Sequence, residues 1–179
     1  LDGRESLSFE TLAGVIEARL NGESVTVSLT PPHDFRIGDH IKLASGEVEI
    51  HSVNTGVPHA VLFVADADEA MVSELGREIR HHEHYAPAGT NVNFVQRTGD
   101  DSIRVRTYER GVGETLACGT GVSAAALIMA KLHGCGSPVR VRVLGGDDLG
   151  VAFEPAGDSF ANVQLTGPAE FVFSGQIEI

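Results

Sequence analysis

The 179-residue chain carries a formal net charge of -12 with 42% apolar and 21% charged residues, proportions of an ordinary globular protein rather than a disordered or fibrous one. Its basic residues alternate instead of clustering, as Arg104 with Arg106 and Arg140 with Arg142, which argues against nucleic acid as a partner. Two cysteines, Cys118 and Cys135, are too few for a disulfide framework, and no apolar run approaches the roughly 18–20 residues that a membrane-crossing helix needs; the cytoplasm is the default compartment.

In chain order, the opening LDGRESLSFETLAG offers no obvious element, and the first strand pattern is VTVSL at 25–29. PPHDF at 31–35 reads as a junction, because two prolines cannot serve a central strand. Strands follow at VEIHSVNT (48–55), HAVLFV (59–64), NVNFVQ (91–96), SIRVRTYER (102–110), VRVRVL (139–144) and LGVAFEP (149–155), with one or two more after Asn162. Alternation of Ile103, Val105 and Thr107 with Arg104, Arg106 and Tyr108 marks a sheet with one wet face.

Two helices are expected. DADEAMVSELGREIRHHEH carries acids at its start, basic residues at its end and the stripe Val72, Leu75, Ile79, the signature of a surface helix. The second, from about Gly121 to Leu132, has no polar face before Lys131 and must therefore be enclosed. The architecture these elements predict is α+β: a curved, mostly antiparallel sheet or barrel wrapped around a buried central helix.

ERGVGETLACGTGVSAAALIMA (109–130) sets Cys118 immediately before that buried helix. A helix N-terminus presents unpaired N–H groups and partial positive charge, a setting that lowers a thiol pKa and can hold a carboxylate at Gly119 and Thr120. A base beside a carboxylate cradle suits proton abstraction at the carbon next to that carboxylate; a buried structural cysteine at a helix cap is the competing reading. GTGVSA also matches a dinucleotide fingerprint, but no strand abuts its first glycine and no acidic residue closes a parallel unit. HHEH (81–84) lacks further ligands for a metal, and Cys135, in the turn after the helix, reads as structural.

YERGVGETLACGTG (108–121) resembles the signature of the diaminopimelate epimerases, and GVPHAVLFV (56–64), LGREIRHHEHYAPAGTNVNFVQ (75–96) and FVFSGQIEI (171–179) follow the family's order. The resemblance implies a cofactor-independent enzyme that interconverts LL- and meso-diaminopimelate in lysine biosynthesis. In it a thiolate and a thiol on opposite faces of the stereocentre exchange protons. Cys118 matches the second of that pair. Glu109 and His59 would support it, Gly119 and Thr120 would hold the reacting carboxylate, and Asn91 and Arg110 would grip the distal amino-acid end. The resemblance also implies a homodimer.

Two departures qualify it. Val57 stands where many family members have Asn, so one distal contact is missing or falls to a neighbour such as Thr55. Nothing here matches the glycine-rich loop that carries the partner cysteine. The expected division is therefore residues 1–32 as the tail of an N-terminal domain, 33–168 as the C-terminal epimerase domain, and 169–179 as a strand returning to the first. A proline or hydroxyproline racemase of the same fold, and an isolated domain without activity, are the alternatives.

Overall fold

The computed structural model describes residues 5–11, 14–170 and 172–177. In chain order these form β1 (Ser6–Thr11), β2 (Gly14–Asn21), β3 (Ser24–Ser28), β4 (His33–Leu43), β5 (Gly46–Asn54), β6 (Pro58–Phe63), α1 (Val72–Arg80), β7 (Asn91–Gly99), β8 (Ser102–Glu109), β9 (Gly113–Thr115), α2 (Gly119–His133), β10 (Val139–Val143), β11 (Asp148–Ala156) and β12 (Ser159–Pro168). The strands make one sheet in the order β1-β2-β3-β12-β11-β10-β8-β7-β6-β5-β4, with β9 added to β8. The α+β architecture and the central helix are as expected. The sheet curls around α2 without closing, and β1 and β4 remain its edges.

Two pairs in this largely antiparallel sheet are parallel, β6 with β7 and β8 with β10. Each is bridged by a helix, α1 in the first crossover and α2 in the second. Because β7 and β8 are antiparallel, the two crossovers step the same way along the sheet from strands of opposite direction. Crossovers are almost always right-handed, so the helices belong on opposite faces, and the cores show this. Val61, Val95, Val105 and Val141 pack with α2, whereas Ala60, Leu62, Val92 and Phe94 pack with Val72 and Ile79 of α1. The sheet is mostly antiparallel, as expected; β8 and β10 run parallel because α2 passes beneath the sheet before the chain re-enters it.

Residues Gly121 to Ala130 of α2 are buried without interruption, as a helix with no polar face requires. Its alanines let the strands approach, and Val53, Val151, Phe153 and Val163 complete the enclosure from β5, β11 and β12. On the other face α1 seats closely on β8: a Cβ at Gly76 would lie 2.6 Å from Tyr108 Cβ, which accounts for glycine inside a helix where it is otherwise unfavourable.

The structure differs from the sequence reading in several places. Helix α1 begins at Val72, not near Asp66. Asp66 Oδ1 accepts the Asp68 N–H at 2.8 Å, and the carbonyls of Ala67, Asp68 and Ala70 accept from the Arg106 guanidinium, so tertiary contacts hold this segment as a turn. Strand β4 was not expected, because register shifts between His33 and Asp39 and left-handed backbone at Asp34 and Gly38 erase its period of two. Strands β1 and β2 pair with each other. Most of their residues are exposed, and the alternation of Leu7 in β1 and of Ile16, Ala18 and Leu20 in β2 with exposed neighbours is short, in a stretch where no element was expected. Residues 1–4, 12, 13, 171, 178 and 179 lie outside the described residues; the described part of the strand expected over 169–179 is not in the sheet beyond β12.

Candidate active site

The strand face beneath α2 changes chemistry near the N-terminus of the helix. Deeper in the core it presents Val95 and Val105; toward the Cys118 end the same face carries His59 on β6, Asn91 and Asn93 on β7, and Thr107 on β8. Register brings these together: His59 lies opposite Asn91, and Asn93 opposite Thr107. All four are buried, and buried polar groups need partners. Thr107 donates to Asn93 Oδ1 at 3.0 Å. Asn93 Nδ2 lies 2.9 Å from the Ala60 carbonyl and 3.2 Å from His59 Nδ1. His59 Nε2 is 3.0 Å from Thr120 Oγ1, which in turn lies 3.6 Å from Cys118 Sγ.

Cys118 is the N-cap of α2, in extended conformation and without a side-chain capping bond. The helical ladder begins with the Val122 N–H donating to the Cys118 carbonyl at 2.8 Å. The N–H groups of the first turn, Gly119 to Gly121, are therefore without intrahelical acceptors. Gly121 sits where no side chain fits: a Cβ there would be 2.4 Å from Asn93 Oδ1 and 3.3 Å from both Cys118 Sγ and His59 Cε1.

The thiol is not lowered as the helix N-terminus alone would suggest. Burial pushes Cys118 up and the Glu109 carboxylate adds to this, outweighing the Thr120 hydroxyl and the Gly121 N–H. At neutral pH Cys118 in this chain is a thiol. Burial, with Arg110 adding, pushes His59 down to about 3, so its ring is neutral.

Glu109 stands at the end of β8, its Oε1 accepting from Thr115 Oγ1 at 2.7 Å. The hairpin that carries it is held by Arg106, which donates to both carboxylate oxygens of Glu114 at 2.7 and 3.0 Å. Asn91 Oδ1 accepts the Arg110 N–H at 2.8 Å, and the Arg110 guanidinium reaches the Ala88 carbonyl. Thr55, the neighbour expected to compensate for valine at position 57, instead donates to the Thr120 carbonyl at 2.9 Å and so fastens β5 to the helix start. A cleft of about 250 Å³ opens beside His59, Thr90 and Tyr85 but does not reach Cys118.

The residues singled out from the sequence thus all surround the start of α2. Asn93, Thr107 and Thr55 take part as well, although the sequence reading gave the first two no role. The signal for Asn93 was present: two asparagines two apart on one face of an otherwise apolar strand.

The diaminopimelate epimerase family model matches residues 51–172. The chain belongs to the diaminopimelate epimerase family. It is 46% identical to the diaminopimelate epimerase of Hydrogenobaculum sp. over 97% of its length, and 46% identical to that of Aquifex aeolicus over 94%. It spans 62% and 61% of the length of these two diaminopimelate epimerases. A hydroxyproline epimerase from Agrobacterium vitis, solved with bound trans-4-hydroxy-L-proline, shares the fold at a TM-score of 0.71 and 24% identity, covering 91% of this chain and 56% of that one. Within this epimerase family member, the described residues hold no group of three or more His, Cys, Asp or Glu that could bind a metal.

Proposed function

We propose that this chain supplies one of the two thiols of a cofactor-independent diaminopimelate epimerase, and that Cys118 exchanges a proton at the α-carbon. The observation that carries this is the position of Cys118: a buried thiol at the N-cap of α2, beside first-turn N–H groups free to hold a carboxylate and flanked by Glu109 and Thr120. In the reaction a thiolate on one face of the α-carbon takes its hydrogen as a proton. The carbon, its charge spread into the carboxylate held at Gly119 and Thr120, receives a proton from the thiol on the other face. One C–H bond breaks and one forms, and thiol and thiolate exchange roles. Burial favours the protonated form of Cys118, the form in which it delivers a proton; in the reverse direction it takes one.

Glu109 and His59 support the thiol, and Asn91 and Arg110 form the distal end of the site, with the hydrogen bond between them presetting their separation. Residues 33–168 form the C-terminal domain of the proposed enzyme. Residues 1–32 and 169–179 belong with an N-terminal domain that carries the partner cysteine. The protein acts as a cytoplasmic homodimer on a small-molecule substrate in lysine biosynthesis.

The test is stereochemical. In the full-length protein, C118A abolishes interconversion of LL- and meso-diaminopimelate while the far-ultraviolet spectrum stays unchanged, and C118A that still epimerises overturns the proposal. This chain alone, with one proposed thiol, yields no product and incorporates no solvent deuterium at the α-carbon.

A further inference from the structure

The buried polar group beside Cys118 has a direction, and one residue sets it. The Ala60 carbonyl can only accept, so the Asn93 atom 2.9 Å from it is the amide nitrogen. Thr107 donating to the other Asn93 atom agrees with this orientation. The second amide hydrogen points at His59 Nδ1, 3.2 Å away. Two donors cannot face each other in a buried site, so Nδ1 holds a lone pair and the single proton of the neutral ring sits on Nε2. That proton is donated to Thr120 Oγ1 at 3.0 Å. The Thr120 hydroxyl, already accepting from His59, has its own hydrogen for the Cys118 sulfur 3.6 Å away.

We propose that Asn93 is a positioning residue for the thiol: it fixes the His59 proton on Nε2 and thereby leaves the Thr120 hydroxyl to donate to Cys118 Sγ. A donor aimed at sulfur favours the thiolate, the form Cys118 must take each time it acts as the base. The exclusion of a side chain at Gly121 belongs to the same device, since a Cβ there would displace Asn93 Oδ1. The proposal rests on reading Cys118 as the proton-transferring thiol, but it concerns the resting protein and is tested without substrate. The titratable groups facing the cluster are Glu109 at the end of β8 and Arg110 just after it; the first turn of α2 has no acidic residue.

The experiment uses the full-length protein with ¹⁵N-labelled histidine, His59 being assigned by its loss in H59Q, and alkylation by iodoacetamide mapped at Cys118. In the wild type, His59 is protonated on Nε2 with Nδ1 bare. N93D in its ionised form offers Nδ1 only acceptors, moves the proton to Nδ1, and slows alkylation at a fixed pH below the thiol midpoint by about tenfold, one pKa unit. T120V slows alkylation similarly while the His59 proton stays on Nε2. In a T120V background N93D has no further effect, because it acts through Thr120. A wild-type His59 protonated on Nδ1, or N93D alkylating at the wild-type rate, overturns the proposal. So does a tenfold effect of N93D that persists without the Thr120 hydroxyl, since that would be charge acting on the thiol directly. Should N93D not fold, the wild-type proton position and the T120V rate decide. None of these outcomes depends on epimerisation, so a protein that passes every arm and is inactive refutes the enzymatic reading alone.

Discussion

Replacing Gly121 with alanine sets two opposing effects against each other. In a helix, alanine is favoured over glycine by about 1 kcal/mol, and Gly121 has no left-handed backbone to lose. Against this, the new Cβ would stand 2.4 Å from Asn93 Oδ1, with Cys118 Sγ and His59 Cε1 both at 3.3 Å. Asn93 cannot swing aside freely, being tied to Ala60, His59 and Thr107. Overpacking of this kind costs about 1–3 kcal/mol, and each buried polar group left without a partner costs a similar amount. The balance is a net destabilisation of about 3 kcal/mol for G121A, read in urea as a lower midpoint with unchanged slope. In an N93A background the obstacle is gone and the penalty shrinks to about 1 kcal/mol or less, a non-additivity measured by a double-mutant cycle. G121A as stable as the wild type, or a loss of the same size with and without Asn93, would refute the packing argument.

Three further outcomes follow from the same geometry. His59 resists protonation down to about 3 against 6.5 unfolded, so below pH ~6.5 the unfolded chain binds a proton the native state refuses, and stability falls with falling pH by about 1.4 kcal/mol per unit until the native ring titrates. Between pH 7 and 5 the wild type therefore loses roughly 2 kcal/mol that H59Q does not lose, as read from denaturant unfolding at both pH values. R106K forfeits the paired bonds to Glu114 and contacts to three backbone carbonyls, and thermal unfolding should show a loss of about 1–3 kcal/mol that lysine cannot recover. A125L forces a large side chain into the fully buried side of α2, lowering stability by about 1–3 kcal/mol in the same urea unfolding measurement.

Much of the fold was legible in local pattern. The valine–arginine alternation of Val139 to Val143 announced a strand with one wet face, and it is buried and exposed in strict alternation. The unbroken apolar run after Cys118 announced an enclosed helix, and it is enclosed. β4 went unrecognised because bulges erase its period; β1 and β2 did so because their alternation, Ile16, Ala18 and Leu20 against exposed Glu17 and Arg19, is short and set among mostly exposed residues. The start of α1 was misplaced because Arg106, far along the chain, takes the carbonyls of the preceding turn.

For the site, the sequence by itself determined the chemistry available: one thiol at a glycine-cleared helix start, with an acid, a histidine and an asparagine at recognisable positions. What only the tertiary structure decided is the state of those groups. A helix N-terminus predicts a lowered thiol, yet Cys118 is pushed up because the curled sheet encloses the helix it caps and burial outweighs the local donors. The sequence marks His59 only as a supporting group for the thiol; the same enclosure keeps its ring neutral. The direction of its proton depends on Asn93, which is 34 residues away in the chain and 3.2 Å away in space. Protonation and hydrogen-bond direction are set by surroundings, and for these residues the surroundings come from strands that only the folded sheet brings together.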